Sequence, residues 1–140
     1  MSSIREKLNY REQKRIAILN SDENMLNFLL EEFNDIKVDT DIDPRYPYEF
    51  MIVFARTNSE VESLASGALH NLISYGTLWF AFPKKHLKDD TSDLDKDHGW
   101  EYITDKGLER VRLISLNDNW SALRFKNVRY IRSPHRRFSH

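Results

Sequence analysis

A chain of 140 residues that is 40% hydrophobic and 31% charged has the size and composition of one globular domain. Its formal net charge of −1 provides no overall field for nucleic acid or a membrane surface. The absence of cysteine excludes disulfides, thiolate nucleophiles and thiolate metal ligands. No apolar run reaches the roughly 18 residues that span a bilayer, and the N-terminus lacks the apolar segment of a signal peptide. The sequence therefore predicts a cytoplasmic protein without a membrane partner.

The first third of the chain alternates apolar strands with an amphipathic helix. Residues 3–13 predict a short helix or turn lying on a sheet. Residues 14–20 form a nearly continuous apolar run, which is typical of a central parallel strand buried on both faces. A helix with an apolar stripe is expected over residues 21–33. Residues 36–42 alternate apolar and polar side chains, which predicts a half-exposed strand at a sheet edge.

The middle of the chain has the clearest pattern of strand, helix and strand. Two apolar runs, residues 48–55 and 76–83, flank a helical stripe over residues 59–74. The capping box in residues 59–62 predicts the start of this helix, and Gly76 is expected just after its end. Two apolar strands joined through a helix are what a parallel βαβ unit requires.

The last third begins with an acidic loop and ends with a basic tail. Residues 84–92 predict a loop, and a helix is expected from residue 93 to Gly107. Residues 110–116 and 120–125 are separated by Asn and Asp residues, which favours an antiparallel hairpin. We predict one α/β domain over residues 1–128 and a basic tail over residues 129–140.

The order of predicted elements, ending in a hairpin, is similar to the class I S-adenosylmethionine-dependent methyltransferase fold. The resemblance implies a three-layer, Rossmann-like domain with a mostly parallel sheet. The expected strand order is 2-1-3-4-6-5, with a C-terminal antiparallel hairpin and strand 5 antiparallel to the rest.

Three segments resemble, more closely, a bacterial family of small Rossmann-like domains of unknown function. They are Gly-Thr-Leu-Trp running into Pro-Lys over residues 76–84, Thr-Ser-Asp-Leu-Asp-Lys-Asp over 91–97, and Trp-Ser-Ala-Leu-Arg-Phe over 120–125. The resemblance covers about residues 8–126 and also includes a strand that ends in an asparagine, here Asn20. It implies the fold and no established activity.

The turn after the first strand differs from that of the methyltransferases. Those enzymes use a glycine-rich turn there so that the backbone can approach the cofactor. Residues 20–24 contain no glycine, and Asp22 and Glu23 would repel an anionic nucleotide. We therefore predict a methyltransferase-like fold that has lost its cofactor site. An acid near the second strand could contact a ribose, and the candidates are Asp39, Asp41 and Asp43. The alternative is that these carboxylates are merely solvated.

Metal, triad and nucleic-acid sites are not predicted. Residues 93–97 have the acidic spacing of an EF-hand start, but His98 and Thr104 occupy the positions that need glycine and glutamate. His86 and His98 have no regular metal-ligand spacing with the nearby aspartates. No G-x-S-x-G elbow is present. The basic, aromatic tail could bind nucleic acid, but a solubilising tail is the favoured interpretation.

The position of a ligand site follows from the predicted topology. In open α/β sheets, ligands bind beyond the carboxyl ends of the strands where strand order reverses. An amide, cations and an indole at that edge would suit a small anionic ligand or an acidic peptide. The alternative is that the cations are ordinary solvated strand ends and that the tryptophan belongs to the core. The residues expected there are Asn20, Arg56, Pro83, Lys84 and Trp120.

The leading hypothesis is a non-catalytic domain that binds a small ligand or a protein and uses no cofactor. The alternative is an S-adenosylmethionine-dependent methyltransferase with an atypical cofactor pocket. The edge of the second strand, or the tail, offers a surface for a homodimer.

Overall fold

The computed structural model describes residues 3–87 and 93–130, in which six strands form one mixed sheet flanked by helices. The strands are β1 (Arg15–Leu19), β2 (Lys37–Asp39), β3 (Tyr48–Phe54), β4 (Leu72–Pro83), β5 (Leu108–Ser115) and β6 (Trp120–Asn127). The helices are α1 (Ile4–Lys7), α2 (Glu23–Glu32), α3 (Asn58–Asn71) and α4 (Glu101–Asp105), and short 3-10 helices cover Lys85–Leu87 and Val128–Tyr130. The strand order is β2-β1-β3-β4-β6-β5, which confirms the predicted order and the methyltransferase-like fold.

The direction of one strand differs from the prediction. Strands β1 to β4 are parallel, and β6 runs antiparallel to both of its neighbours, β4 and β5. Because β6 inserts between β4 and β5, β5 points the same way as β4. The antiparallel strand is therefore β6, and the expectation that strand 5 runs against the rest is wrong.

Two apolar cores cover the two faces of the sheet. On one face α3 and α4 pack on the strands, with Ala65 and Ala68 of α3 fully buried. On the other face α1 and α2 contribute Leu8, Met25 and Leu29. The central strands are buried on both sides, which explains why their sequences are nearly continuous in apolar residues.

Helix α3 begins and ends earlier than its sequence predicts. Its N-cap is Thr57, whose hydroxyl accepts the N–H of Glu60 at 3.1 Å, and the Glu60 carboxylate accepts the N–H of Arg56 at 2.7 Å. The capping interaction is thus two residues upstream of the predicted box. The helix stops at Asn71, and Gly76 lies inside β4. A Cβ on Gly76 would come within 2.8 Å of Leu72 Cδ1, so close packing, not a helix end, requires glycine there.

The predicted helix from residue 93 forms only as the short α4. Gly99 has φ +97°, which interrupts a helix and shapes a loop over residues 93–99. Leu94 is fully buried in this loop, and the indole N–H of Trp100 donates to the carbonyl of Asp95 at 2.6 Å. The edge strand β2 is also shorter than predicted, because only residues 37–39 pair with β1.

Parts of the predicted loop and tail lie outside the described residues, namely 88–92 and 131–140, so the predicted boundary at residue 128 stays a prediction. Among the residues described, no helix has both the length and the apolar character needed to cross a membrane.

Candidate functional site

Three of the five predicted site residues meet where strand order reverses between β1 and β3. Asn20, Arg56 and Trp120 line a cavity of about 250 Å³ beyond the carboxyl ends of these strands, together with Asp22 and Glu60. We call this cavity the switch-point crevice. Its position agrees with the general rule for open α/β sheets.

The side chain of Asn20 lies across this crevice. Its Nδ2 donates to the carbonyl of Phe54 at 2.8 Å and to the Glu60 carboxylate at 3.4 Å. Asn20 follows β1 and Phe54 ends β3, so the amide ties the two strand ends together. Its backbone has φ +61°, a left-handed conformation that asparagine tolerates better than most residues. The strand ends are therefore joined by a side chain at the point where a ligand would approach the backbone.

Arg56 and Trp120 both line the crevice, and Trp120 is also a buried member of the core on the face of α1 and α2. The Arg56 guanidinium lies 5.0 Å from the centre of the Trp120 ring, and Trp120 packs edge-on against Phe54 with ring centres 5.1 Å apart. Two carboxylates, those of Asp22 and Glu60, share the lining with the single guanidinium. This charge balance does not favour an anionic ligand.

Pro83 and Lys84 line a different cavity. It has a volume of about 400 Å³ and lies between the end of β4, the hairpin and residues 95–97. The Lys84 ammonium donates to the Ser115 hydroxyl at 2.6 Å, and the Lys84 backbone N–H donates to the carbonyl of Asn119 at 2.8 Å. The structure thus separates the predicted site into two parts.

The turn after β1 is capped by its own side chain. The Asp22 carboxylate accepts the N–H of Met25 at 2.8 Å and so occupies the start of α2. Helix starts bind phosphate through such free N–H groups, and a carboxylate there competes with an anionic ligand. Together with the Asn20 bridge, this geometry leaves no backbone surface of the glycine-rich kind.

Two of the three acids considered as ribose contacts have other partners. Asp39 accepts from the Arg15 guanidinium at 2.7 Å and from the Tyr48 hydroxyl, and Asp43 accepts from Arg15 at 3.1 Å. The Arg45 backbone N–H, and then the Arg15 guanidinium, hold the pKa of Asp43 below its ordinary value. Asp41 is exposed and lines a cavity of about 540 Å³ with Asn20 beyond the ends of β1 and β2.

The acidic residues at 93–97 bind the protein's own backbone. Asp93 accepts the N–H of Asn58 at 2.6 Å, and Asp95 accepts those of Asp97 and His98 at 2.8 Å. Burial opposes ionisation of Asp95, yet these N–H groups and the His98 ring outweigh it, and the pKa of Asp95 is lowered. Within residues 3–87 and 93–130, no three histidine or acidic side chains come together as metal ligands.

Sequence reasoning missed one group of cations, on the face of the sheet that α1 and α2 cover. Arg112 of β5 is directly opposite Arg124 of β6, and Arg11 lies in the turn between α1 and β1. The charges of Arg112 and Arg11 both act on Arg124. We call these three residues the basic cluster. The sequence signal was an arginine between two apolar residues of β6, Leu123 and Phe125.

Comparisons with solved structures identify the fold. A SAM-dependent methyltransferase from Aquifex aeolicus superposes with a TM-score of 0.55 at 9% identity, over 86% of this chain and 85% of that chain. A protein in the NADB-Rossmann superfamily from Streptococcus agalactiae gives a TM-score of 0.53 at 11% identity, over 91% and 68%. The fibrillarin pre-rRNA processing protein of Methanococcus jannaschii gives 0.54 at 12% identity, over 83% and 67%. No family model matches the sequence, and comparison with curated proteins gave no match. At these identities the likeness shows a methyltransferase-like Rossmann fold and nothing further.

Proposed function

We propose that this chain is a non-catalytic binding domain that has a methyltransferase-like fold and does not use S-adenosylmethionine. The observation on which the proposal depends is the Asn20 bridge from β1 to Phe54 and Glu60. A ligand seated against the ends of β1 and β3 would have to displace this amide.

The hydrogen bonds already formed at the same point support the proposal. Asp22 already caps α2, and Glu60 already accepts from Asn20 and Arg56. Displacing Asn20 would leave the carbonyl of Phe54 without this donor, and an unsatisfied buried acceptor costs about 1–3 kcal/mol. A ligand must therefore replace the bond that it breaks.

The alternative function is that of an S-adenosylmethionine-dependent methyltransferase with an atypical cofactor pocket. Its support is the fold shared with the Aquifex aeolicus SAM-dependent methyltransferase. The cavity of about 540 Å³ beside Asp41 adds to that support, because an acid after the second strand could accept a ribose hydroxyl.

Calorimetric titration and thermal unfolding with S-adenosylmethionine and S-adenosylhomocysteine test the proposal. A ligand at a hundredfold excess over its Kd stabilises the folded state by about 2.7 kcal/mol, which raises the Tm by roughly 5–10 °C. We expect no saturable heat and no Tm shift with either compound at about 1 mM. By the same relation, this result would exclude a Kd of about 10 µM or tighter. If the wild type binds either compound saturably and Asp41→Asn weakens that binding, the methyltransferase alternative replaces the proposal.

A pair of matched variants tests the bridge itself. Asn20 and Asn9 both have left-handed backbones, with φ +61° and +56°. Replacement by glycine relieves the same backbone preference at both positions, and only Asn20→Gly loses the bond to Phe54. We expect Asn20→Gly to be less stable than Asn9→Gly by about 1 kcal/mol in urea unfolding. Equal stabilities would remove the observation on which the proposal depends.

Several finer assignments belong to the same proposal. The ligand is a small anion or an acidic peptide at the cavity of Pro83 and Lys84, because two carboxylates and one guanidinium line the switch-point crevice. The edge of the second strand or the tail serves a homodimer. The chain is cytoplasmic, which the lack of cysteine favours. It is a relative of the bacterial family named above, which the segments at 76–84 and 120–125 support.

A further inference from the structure

A β-bulge in β5 brings two arginines opposite one another. The register between β5 and β6 shifts between Arg110, which faces Phe125, and Arg112, which faces Arg124. Without the extra residue, Val111 would be the partner of Arg124. Bulges change the direction in which a side chain points, and this one places Arg112 on the same face as Arg124.

Like charges directly opposite in an antiparallel pair destabilise a sheet. The neighbouring pair on this face shows the ordinary arrangement, because Glu109 is opposite Lys126. Arg124 is also beside the buried Trp79 in the register between β4 and β6. The pair therefore places two like charges opposite one another, one on the exposed Arg112 and one on the half-buried Arg124.

The arginines of the basic cluster lack the partners that other arginines have. Arg5 and Arg15 form ion pairs with Asp35 and with Asp39. Within residues 3–87 and 93–130, the ion pairs of the structure include none of the three arginines of the basic cluster. Burial lowers the pKa of the Arg124 guanidinium, and the charges of Arg112 and Arg11 lower it further.

We propose that Arg11, Arg112 and Arg124 bind a small, multiply charged phosphate anion. Each guanidinium is a planar group of N–H donors that matches phosphate oxygens in a bidentate manner. A polyphosphate can accept from all three residues and compensate their mutual repulsion. Charge-assisted bonds are stronger where water is partly excluded, as it is around the half-buried Arg124.

The basic cluster shares no residue with the switch-point crevice, so this proposal goes beyond the proposed function and does not depend on it. A negative titration with S-adenosylmethionine leaves it unaffected. A negative titration with pyrophosphate likewise leaves the crevice argument unaffected.

The test is calorimetric titration of the full chain with inorganic pyrophosphate at low, constant ionic strength. We expect saturable binding by the wild type that weakens as salt is added. Arg112→Gln and Arg11→Gln should each weaken the Kd about ten- to hundredfold, the range for one hydrogen bond to a charged group. Arg129→Gln, an exposed arginine outside the basic cluster, is the control and should bind as the wild type does.

A second readout distinguishes a binding site from a structural role. Without ligand, Arg112→Gln should have a higher Tm than the wild type, because it removes the repulsion across the pair. Absence of pyrophosphate binding, an equal loss in Arg129→Gln, or a lower Tm for Arg112→Gln with binding retained would each overturn the proposal. Tighter binding of a single-stranded oligonucleotide than of pyrophosphate, at equal phosphate concentration, would overturn the assignment to a small ligand.

Discussion

The loop over residues 93–99 depends on one glycine, and Gly99→Ala tests how. Gly99 has φ +97°, which side chains rarely adopt. A Cβ there would come within 2.2 Å of Leu94 Cδ2 and 3.2 Å of the Asp93 carbonyl oxygen. Leu94 is fully buried, so its side chain cannot turn into solvent.

The expected cost has two parts. A left-handed backbone costs an alanine about 1–2 kcal/mol, and forcing an extra methyl into a packed core costs about 1–3 kcal/mol. Gly99→Ala should therefore lower the free energy of unfolding by about 2–5 kcal/mol. Gly107 separates the two parts, because it has φ +90° and a Cβ there would meet no atom within 4 Å. Gly107→Ala should cost only the backbone part.

Urea unfolding of four variants measures both parts. Leu94→Ala alone should cost about 2–5 kcal/mol for its cavity. In the Leu94→Ala background, the added cost of Gly99→Ala should fall to that of Gly107→Ala, because the clashing methyl group is gone. This coupling of about 1–3 kcal/mol is the signature of a direct contact. If Gly99→Ala costs no more than Gly107→Ala, or if Leu94→Ala leaves its cost unchanged, the packing argument is refuted.

Two further substitutions test the polar network around β2 and β3. Tyr48→Phe should lower the free energy of unfolding by about 1–3 kcal/mol in urea, because the buried hydroxyl donates to the Asp39 carboxylate of β2. The control Tyr75→Phe removes an exposed hydroxyl and should change it by no more than about 0.5 kcal/mol. Equal losses in the two variants would contradict this account. The Arg45 backbone N–H lowers the pKa of Asp43, and the Arg15 guanidinium of β1 lowers it further. The ionised Asp43 therefore stabilises the folded state above its unfolded-state pKa, and this stabilisation is lost as the pH falls through the folded-state pKa. The urea midpoint of Asp43→Asn should therefore fall less between pH 7 and pH 2 than that of the wild type or Asp41→Asn, and identical pH dependences would exclude the effect.

The fold could be predicted because its central strands are buried on both faces. Their apolar runs have no helical period, and the α3 stripe has one, so local pattern and tertiary position agree. The direction of β6 could not be predicted in the same way. A hairpin fixes only the relative direction of its own two strands, and whether β5 or β6 runs parallel to β4 depends on packing that the turn does not encode.

The candidate site was predicted in part for the same reason. The rule for strand ends predicts that Asn20, Arg56 and Trp120 lie at one edge of the sheet, and in the structure they line one cavity. It did not separate Lys84, whose ammonium donates to the Ser115 hydroxyl at a different cavity. The bulge at Val111 could not be predicted either, since no glycine or proline in the sequence marks it.

The position of β6 between β4 and β5 has a consequence for synthesis. Trp120 and Ala122 of this strand belong to one core, and Leu123 and Phe125 belong to the other. No shorter nascent chain that stops before β6 can close either core. Before β6 has been synthesised, strands β1 to β4 therefore expose apolar surface that β6 covers in the folded domain. We expect a chain that stops before residue 120 to aggregate more readily than one that includes β6.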